Sequence, residues 1–77
     1  MKSKRLQVMD GFLKKLRAEF DRKEQQNQLY EGDSVSVELT FNFEELEIIE
    51  EITDELFKYD WYDIDTNTHK VIVTKVL

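Results

Sequence analysis

The fold turns on SVSVELTFNFEEL, residues 34–46, where strand periodicity gives way to helix periodicity within one run. Val35, Val37, Leu39, Phe41 and Phe43 alternate with Ser34, Ser36, Glu38, Thr40 and Asn42. Period two with one polar face predicts a half-buried strand over 34–43. A helix start overlaps its end. Asn42 is a good N-cap, Glu45 stands at N3 to complete a capping box, and Phe41 is placed to staple against Leu46. This helix is expected to reach about Lys58, burying Ile48, Ile49, Ile52, Leu56 and Tyr59, with Leu46 and Phe57 at one margin.

Upstream, the pattern predicts a helix from about Lys4 to Gln26. Leu6, Met9, Leu13, Leu16 and Phe20 recur at spacings of three and four, and Val8 and Phe12 widen the stripe. Lys4, Lys15 and Arg22 are expected on the opposite side, with Gly11 on the outer face. Asp10–Lys14 and Arg17–Asp21 have i,i+4 ion-pair spacing. The polar run Glu24–Gln28 frays the helix, and Tyr30-Glu31-Gly32-Asp33 supplies a turn.

Downstream, residues 59–65 and 69–76 read as a hairpin with its tip near Thr66-Asn67-Thr68. A turn at Asn67-Thr68 sets Ile64 opposite Val71, Tyr62 opposite Val73, Asp65 opposite Lys70 and Asp60 opposite Lys75. The fold class is therefore α+β, in the order α-β-α-β-β: a three-stranded sheet whose C-terminal hairpin packs against helices. Residues 1–77 form a single domain, with a basic helix at 4–26 and an acidic body at 33–77.

A chain of 77 residues buries only about 60% of the surface its unfolded form exposes. Small scaffolds compensate with disulfides, a metal or association. Cysteine is absent, and His69, the single histidine, cannot build a zinc site alone. A homodimer is the expected compensation, with no cofactor and no metal. No apolar run approaches the ~18 residues of a membrane span, and Asp10, Lys14 and Lys15 interrupt the N-terminal segment as no signal-peptide core is interrupted. The expected compartment is the cytoplasm, with no membrane partner.

Charge is the most informative feature. The net charge is −6, unevenly placed. Lys2, Lys4, Arg5, Lys14, Lys15, Arg17, Arg22 and Lys23 lie before residue 24; beyond it, Lys58, Lys70 and Lys75 face a large excess of acids. At helical spacing Glu44, Glu47, Glu50, Glu51, Asp54 and Glu55 fall on one arc opposite the isoleucines. Glu47–Glu51, Glu51–Glu55 and Glu50–Asp54 are like-charge i,i+4 pairs, each destabilising by about 0.2–0.5 kcal/mol. A charge run ordinarily does no more than keep a surface solvated, but ordinary surfaces intersperse both signs. A ridge of one sign, extended by Asp60, Asp63 and Asp65, is suited to entering a cleft that Lys and Arg line for nucleic acid.

The expected function is accordingly that of a DNA mimic, which inhibits a basic nucleic-acid-binding protein such as a nucleoid protein, repair enzyme or polymerase and does not itself bind nucleic acid. In size, acidity and α+β build the chain resembles the small inhibitors that phages direct against host nucleic-acid-binding proteins, including those of uracil-DNA glycosylase and of nucleoid proteins. The resemblance is one of class and transfers no residue.

Other readings compete. Trp61, beside the acidic helix, has the residue type of an interface anchor, or packs beneath the first helix or between subunits. The alternative function is a small regulatory or scaffolding protein that binds its partner through apolar surface. The basic first helix has the charge to contact phosphate or an anionic membrane, or to lie against acids of its own chain or of a partner subunit. Asp63, Asp65 and Asn67 copy the start of a calcium loop, but Thr68 and Thr74 stand where glycine and glutamate are needed. Catalysis finds no Gly-rich phosphate loop, no cysteine nucleophile and no second histidine. An enzyme is not expected.

Overall fold

The computed structural model describes residues 3–77. Lys2, counted above among the N-terminal cations, lies outside the described residues. The elements are α1 (Lys4–Gln26), β1 (Ser34–Thr40), α2 (Phe43–Glu47), α3 (Ile49–Leu56), β2 (Trp61–Asp65) and β3 (Lys70–Val76). The three strands form one sheet in the order β1-β3-β2, with both pairings antiparallel. The expected α+β class is what forms. β1, whose place in the sheet alternation alone does not decide, is an edge strand.

Ser3 caps α1 through its hydroxyl, which accepts from the Leu6 N–H. The helix ends at Gln26, and the Asn27 side chain donates to the Lys23 carbonyl. The buried side of α1 is Phe12, Leu16 and Phe20, with Val8, Met9 and Leu13 packed alongside. The stripe is thus rotated towards Val8 and Phe12, and Leu6 is 56% exposed. The apolar arc of α1 is wider than the helix can bury, and the sheet selects its Phe12 side. Arg22 reaches back to Glu19 at 2.7 Å, while Arg17 and Asp21 form no ion pair among the described residues.

Gly11 lies exposed on α1, and a Cβ there would meet no atom within 4 Å. Gly11→Ala is therefore expected to stabilise the protein by about 0.5–1 kcal/mol, through helix propensity and a less flexible unfolded chain. Urea denaturation followed by circular dichroism checks it; an unchanged midpoint contradicts it.

The turn at residues 30–33 closes as expected. Asp33 donates to the Tyr30 carbonyl, the Asp33 side chain accepts from the Tyr30 N–H, and Gly32 takes φ 94, a backbone angle that a side chain would strain. β1 stops at Thr40, earlier than the predicted 43. The residue that ends it is Asn42, whose side chain accepts from the Glu45 N–H while Glu45 returns a carboxylate oxygen to the Asn42 N–H. Phe43 consequently begins a helix and, at 83% exposure, is not part of the strand's inner face.

The single helix expected from Asn42 to Lys58 is broken at Ile48, which takes φ −117 and ψ 30 and donates to the Glu45 carbonyl. Neither proline nor glycine stands there. Three local features weaken the helix at that point. Ile48-Ile49 are consecutive β-branched residues, the flanking glutamates repel, and the Thr53 hydroxyl donates back to the Ile49 carbonyl at 2.7 Å.

The hairpin register holds: Tyr62 pairs with Val73, Ile64 with Val71 and Asp65 with Lys70. Its loop is longer than the expected two residues. Thr66–His69 span it, Asp65 accepts from the Asn67 and Thr68 N–H groups, and His69 takes φ 57. The Asp60–Lys75 pairing is replaced. Asp60 accepts from the Val76 N–H at 2.7 Å, and Lys75 turns to Glu24 at 3.1 Å, its ammonium 4.9 Å from the Phe20 ring centroid.

All helices lie on one side of the sheet. Val35, Val37, Val71 and Val73 bury that side against Phe12, Leu16, Phe20, Ile48, Ile52 and Leu56. Phe12 stacks on Phe41 at 5.4 Å, and Phe20 on Tyr59 at 5.5 Å. The two stacks tie α1 to both ends of the helical layer.

Candidate interaction surfaces

The ten candidate residues divide between two sides of the molecule. Glu44, Glu47, Glu50, Glu51, Asp54 and Glu55 belong to the helical layer. Trp61, Asp63 and Asp65 alternate with Tyr62 and Ile64, which pack on the core, so they project from the uncovered side of the sheet. Asp60 lies at the edge, engaged by the backbone of Val76. The strand acids therefore do not extend the helical ridge.

The ridge itself is partly neutralised by α1. Lys4 stands 3.6 Å from Glu44, Arg5 donates to Glu51, and Lys15 lies 2.7 Å from Glu45. Lys4 and Lys15, expected opposite the apolar stripe, thus lie against α2. Among the readings of the basic helix, lying against acids of its own chain is the one the structure contains. The Arg5 guanidinium, donating to Glu51, holds that carboxyl below the ordinary glutamate range. Glu55 is paired with Lys58 at 2.8 Å. Glu47, Glu50 and Asp54 remain exposed and have no ion-pair partner among the described residues.

Sequence reasoning passed over Glu45 as a site residue, and the structure makes it the one buried charged side chain of the described residues, 2% exposed. Its role as a capping residue was legible in the N-x-x-E spacing. Its pairing with Lys15 depends on how α1 crosses α2 and has no signal in the sequence.

On the sheet's open side, Asp65 is held below the ordinary aspartate range by the Asn67 N–H first and the Thr68 N–H second. One oxygen of the carboxylate that copies a calcium ligand, Oδ1, is thus engaged by the hairpin turn. Glu38 lies 3.5 Å from Lys70. Trp61, expected as an interface anchor, or packed beneath α1 or between subunits, points away from α1 and is 53% exposed.

Among the described residues no helix is long and apolar enough to cross a membrane, and no cluster of His, Cys, Asp or Glu has a metal-binding arrangement. No protein-family model, curated protein or solved structure matches the chain.

Proposed function

We propose that the protein is a cytoplasmic, non-catalytic inhibitor that binds a basic nucleic-acid-binding protein at its nucleic-acid site. The observation that supports this reading is the trio Glu47, Glu50 and Asp54, exposed on the helical layer and without an ion-pair partner among the described residues. Glu50 and Asp54 are one turn apart, about 6 Å along the axis, and repel each other. That repulsion is relieved when Lys or Arg side chains of a partner close on them. A helix holds these carboxylates in place, so binding orders less than it would in a flexible acidic tail.

The mimic is narrower than the sequence implies. Three carboxylates carry it, because α1 and Lys58 engage the others. A homodimer, expected from the small core, would bring two such trios together and lengthen the charged track.

The test begins with capture from a nuclease-treated bacterial lysate and elution by rising salt. It continues with displacement of labelled duplex DNA from the captured protein. A basic protein eluting at moderate salt and losing its DNA to the inhibitor is the expected result. Changing Glu47, Glu50 and Asp54 together to lysine is expected to weaken binding roughly 10–30-fold at low salt with the melting midpoint unchanged. Undiminished binding by the variant, or a partner retained at high salt, rejects mimicry.

A further inference from the structure

The helices leave one face of the sheet bare, and its composition is specific. Reading across the strands in register, Glu38, Ile72 and Asp63 form one row, Ser36, Thr74 and Trp61 the next, and Thr40, Lys70 and Asp65 a third. Val76 follows on β3 beyond Thr74, so Trp61 is the diagonal neighbour of both Ile72 and Val76 across the strand pair. All three are exposed large hydrophobics, and they form one apolar patch on the edge and centre of the sheet. Carboxylates border it: Glu38 and Asp63 flank Ile72 from either side, with Asp65 one row further along. Among the described residues Lys70 is the single cation on this face, and Glu38 already engages it.

We propose that this open face is a docking surface for a basic amphipathic helix of a partner protein. Seven-residue β1 and β3 beside five-residue β2, at about 3.3 Å per residue and spaced about 4.8 Å apart, give a face up to roughly 23 Å long and 10 Å wide. A helix with its side chains is about 10 Å across, so one helix fills it. The patch offers an aromatic anchor beside two aliphatic residues, which matches an apolar stripe. The acid border matches Lys or Arg flanking that stripe.

The polar groups within the face do not oppose being covered. The Ser36 and Thr74 hydroxyls bond each other at 2.6 Å, and Asp65 is satisfied by its own turn. Asp63 has no ion-pair partner among the described residues and stands beside Ile72, where an incoming cation would neutralise it. A second copy of the same face would set Glu38, Asp63 and Asp65 against their equals, and a nucleic acid or anionic membrane would meet the same repulsion. This inference concerns the opposite side of the molecule from the helical trio and is independent of it.

Trp61 is the only tryptophan, so its fluorescence reads this face directly. The probe is a synthetic peptide of ~18 residues, long enough to span the face as a helix, with leucines at three-four spacing and lysines between. On saturation, Trp61 emission is expected to shift to shorter wavelength and acrylamide quenching to fall roughly twofold. A control peptide of equal charge with serine for leucine should leave the emission in place. Glu38→Lys with Asp63→Lys should weaken binding at least about tenfold, while the Glu47, Glu50, Asp54 triple variant stays within about twofold. Circular dichroism of each variant confirms that it is folded. The proposal is overturned if the serine control binds and shifts the emission equally. Binding without an emission change, shielding of Trp61 in a dimer of the protein alone, or docking to anionic vesicles overturns it as well.

Discussion

Phe12→Ala should destabilise the protein by about 3–5 kcal/mol, the largest effect expected of a single truncation here. Phe12 is fully buried at the middle of α1 and stacks on Phe41, the last apolar residue before the Asn42 cap. Its ring therefore joins three elements: the long helix, the end of β1 and the start of α2. Removing it leaves a cavity where these meet, and two of the three are short. A domain of this size has roughly 4–12 kcal/mol of total stability, at about 0.05–0.15 kcal/mol per residue. The variant is thus expected to lie near its unfolding midpoint at 37 °C, with a melting temperature lowered by ~15–30 °C. Far-UV circular dichroism in urea is the appropriate readout, because Trp61 is half exposed in the folded state and reports unfolding weakly. Phe12→Leu keeps most of the volume and should lose less than half as much. A loss below about 1.5 kcal/mol for Phe12→Ala would show that the site collapses around the gap and that the stack on Phe41 holds little together.

What the sequence made legible follows from which interactions are local. The alternation of Val35, Val37 and Leu39, the capping box at Asn42 and Glu45, and the hairpin register through Ile64 and Val71 are short-range patterns, and each is present. The extent of α1 was equally local. Its rotation was not: Leu6 and Phe12 both belong to the apolar arc, and only the sheet decides that Phe12 is buried. The break at Ile48 was hidden for a related reason. No helix-breaking residue marks it, and the weak features around it tell only in combination.

The candidate site was legible as a list of residues and not as a surface. Helical spacing does place the glutamates together, but the sequence cannot say that Arg5 would reach Glu51, forty-six positions away. Nor can it place Trp61, Asp63 and Asp65 across the molecule from the ridge they follow in the chain. That separation changes the functional argument. One acidic ridge becomes two smaller acidic surfaces, a polar one on the helices and an apolar-centred one on the sheet. Both suit basic partners, and they differ in salt response. Binding through the helical trio, as proposed, should weaken steeply with ionic strength, while binding through the proposed sheet face should retain an apolar contribution.

The second large effect is expected at Lys15. Glu45 is buried, and its carboxylate has two partners: the Asn42 N–H at 2.9 Å and the Lys15 ammonium at 2.7 Å. Lys15→Met keeps most of the apolar stem, deletes the charge, and removes the ammonium that lies 5.9 Å from the Phe12 ring centroid. The buried carboxylate is then left with a single protein hydrogen bond. Breaking a fully buried pair from one side destabilises by about 3–5 kcal/mol; the Lys15 side chain is 45% exposed, so solvent compensates in part and about 2 kcal/mol is expected. Glu45→Gln preserves an oxygen for the Asn42 N–H, and hence the capping box, while removing the negative charge. In that background Lys15→Met should change stability by no more than about 0.5 kcal/mol, which makes the coupling in the double-mutant cycle about 1.5 kcal/mol. High salt should reduce the coupling only slightly, in contrast to the exposed Lys4–Glu44 pair, where little stabilisation is expected at any ionic strength. Equal losses from Lys15→Met in both backgrounds would mean that the lysine stem, and not its charge, holds α1 against α2. The basic helix would then be fixed to the acidic body by packing alone, and the neutralisation that narrows the helical ridge to three carboxylates would be a consequence of the fold and no part of its cause.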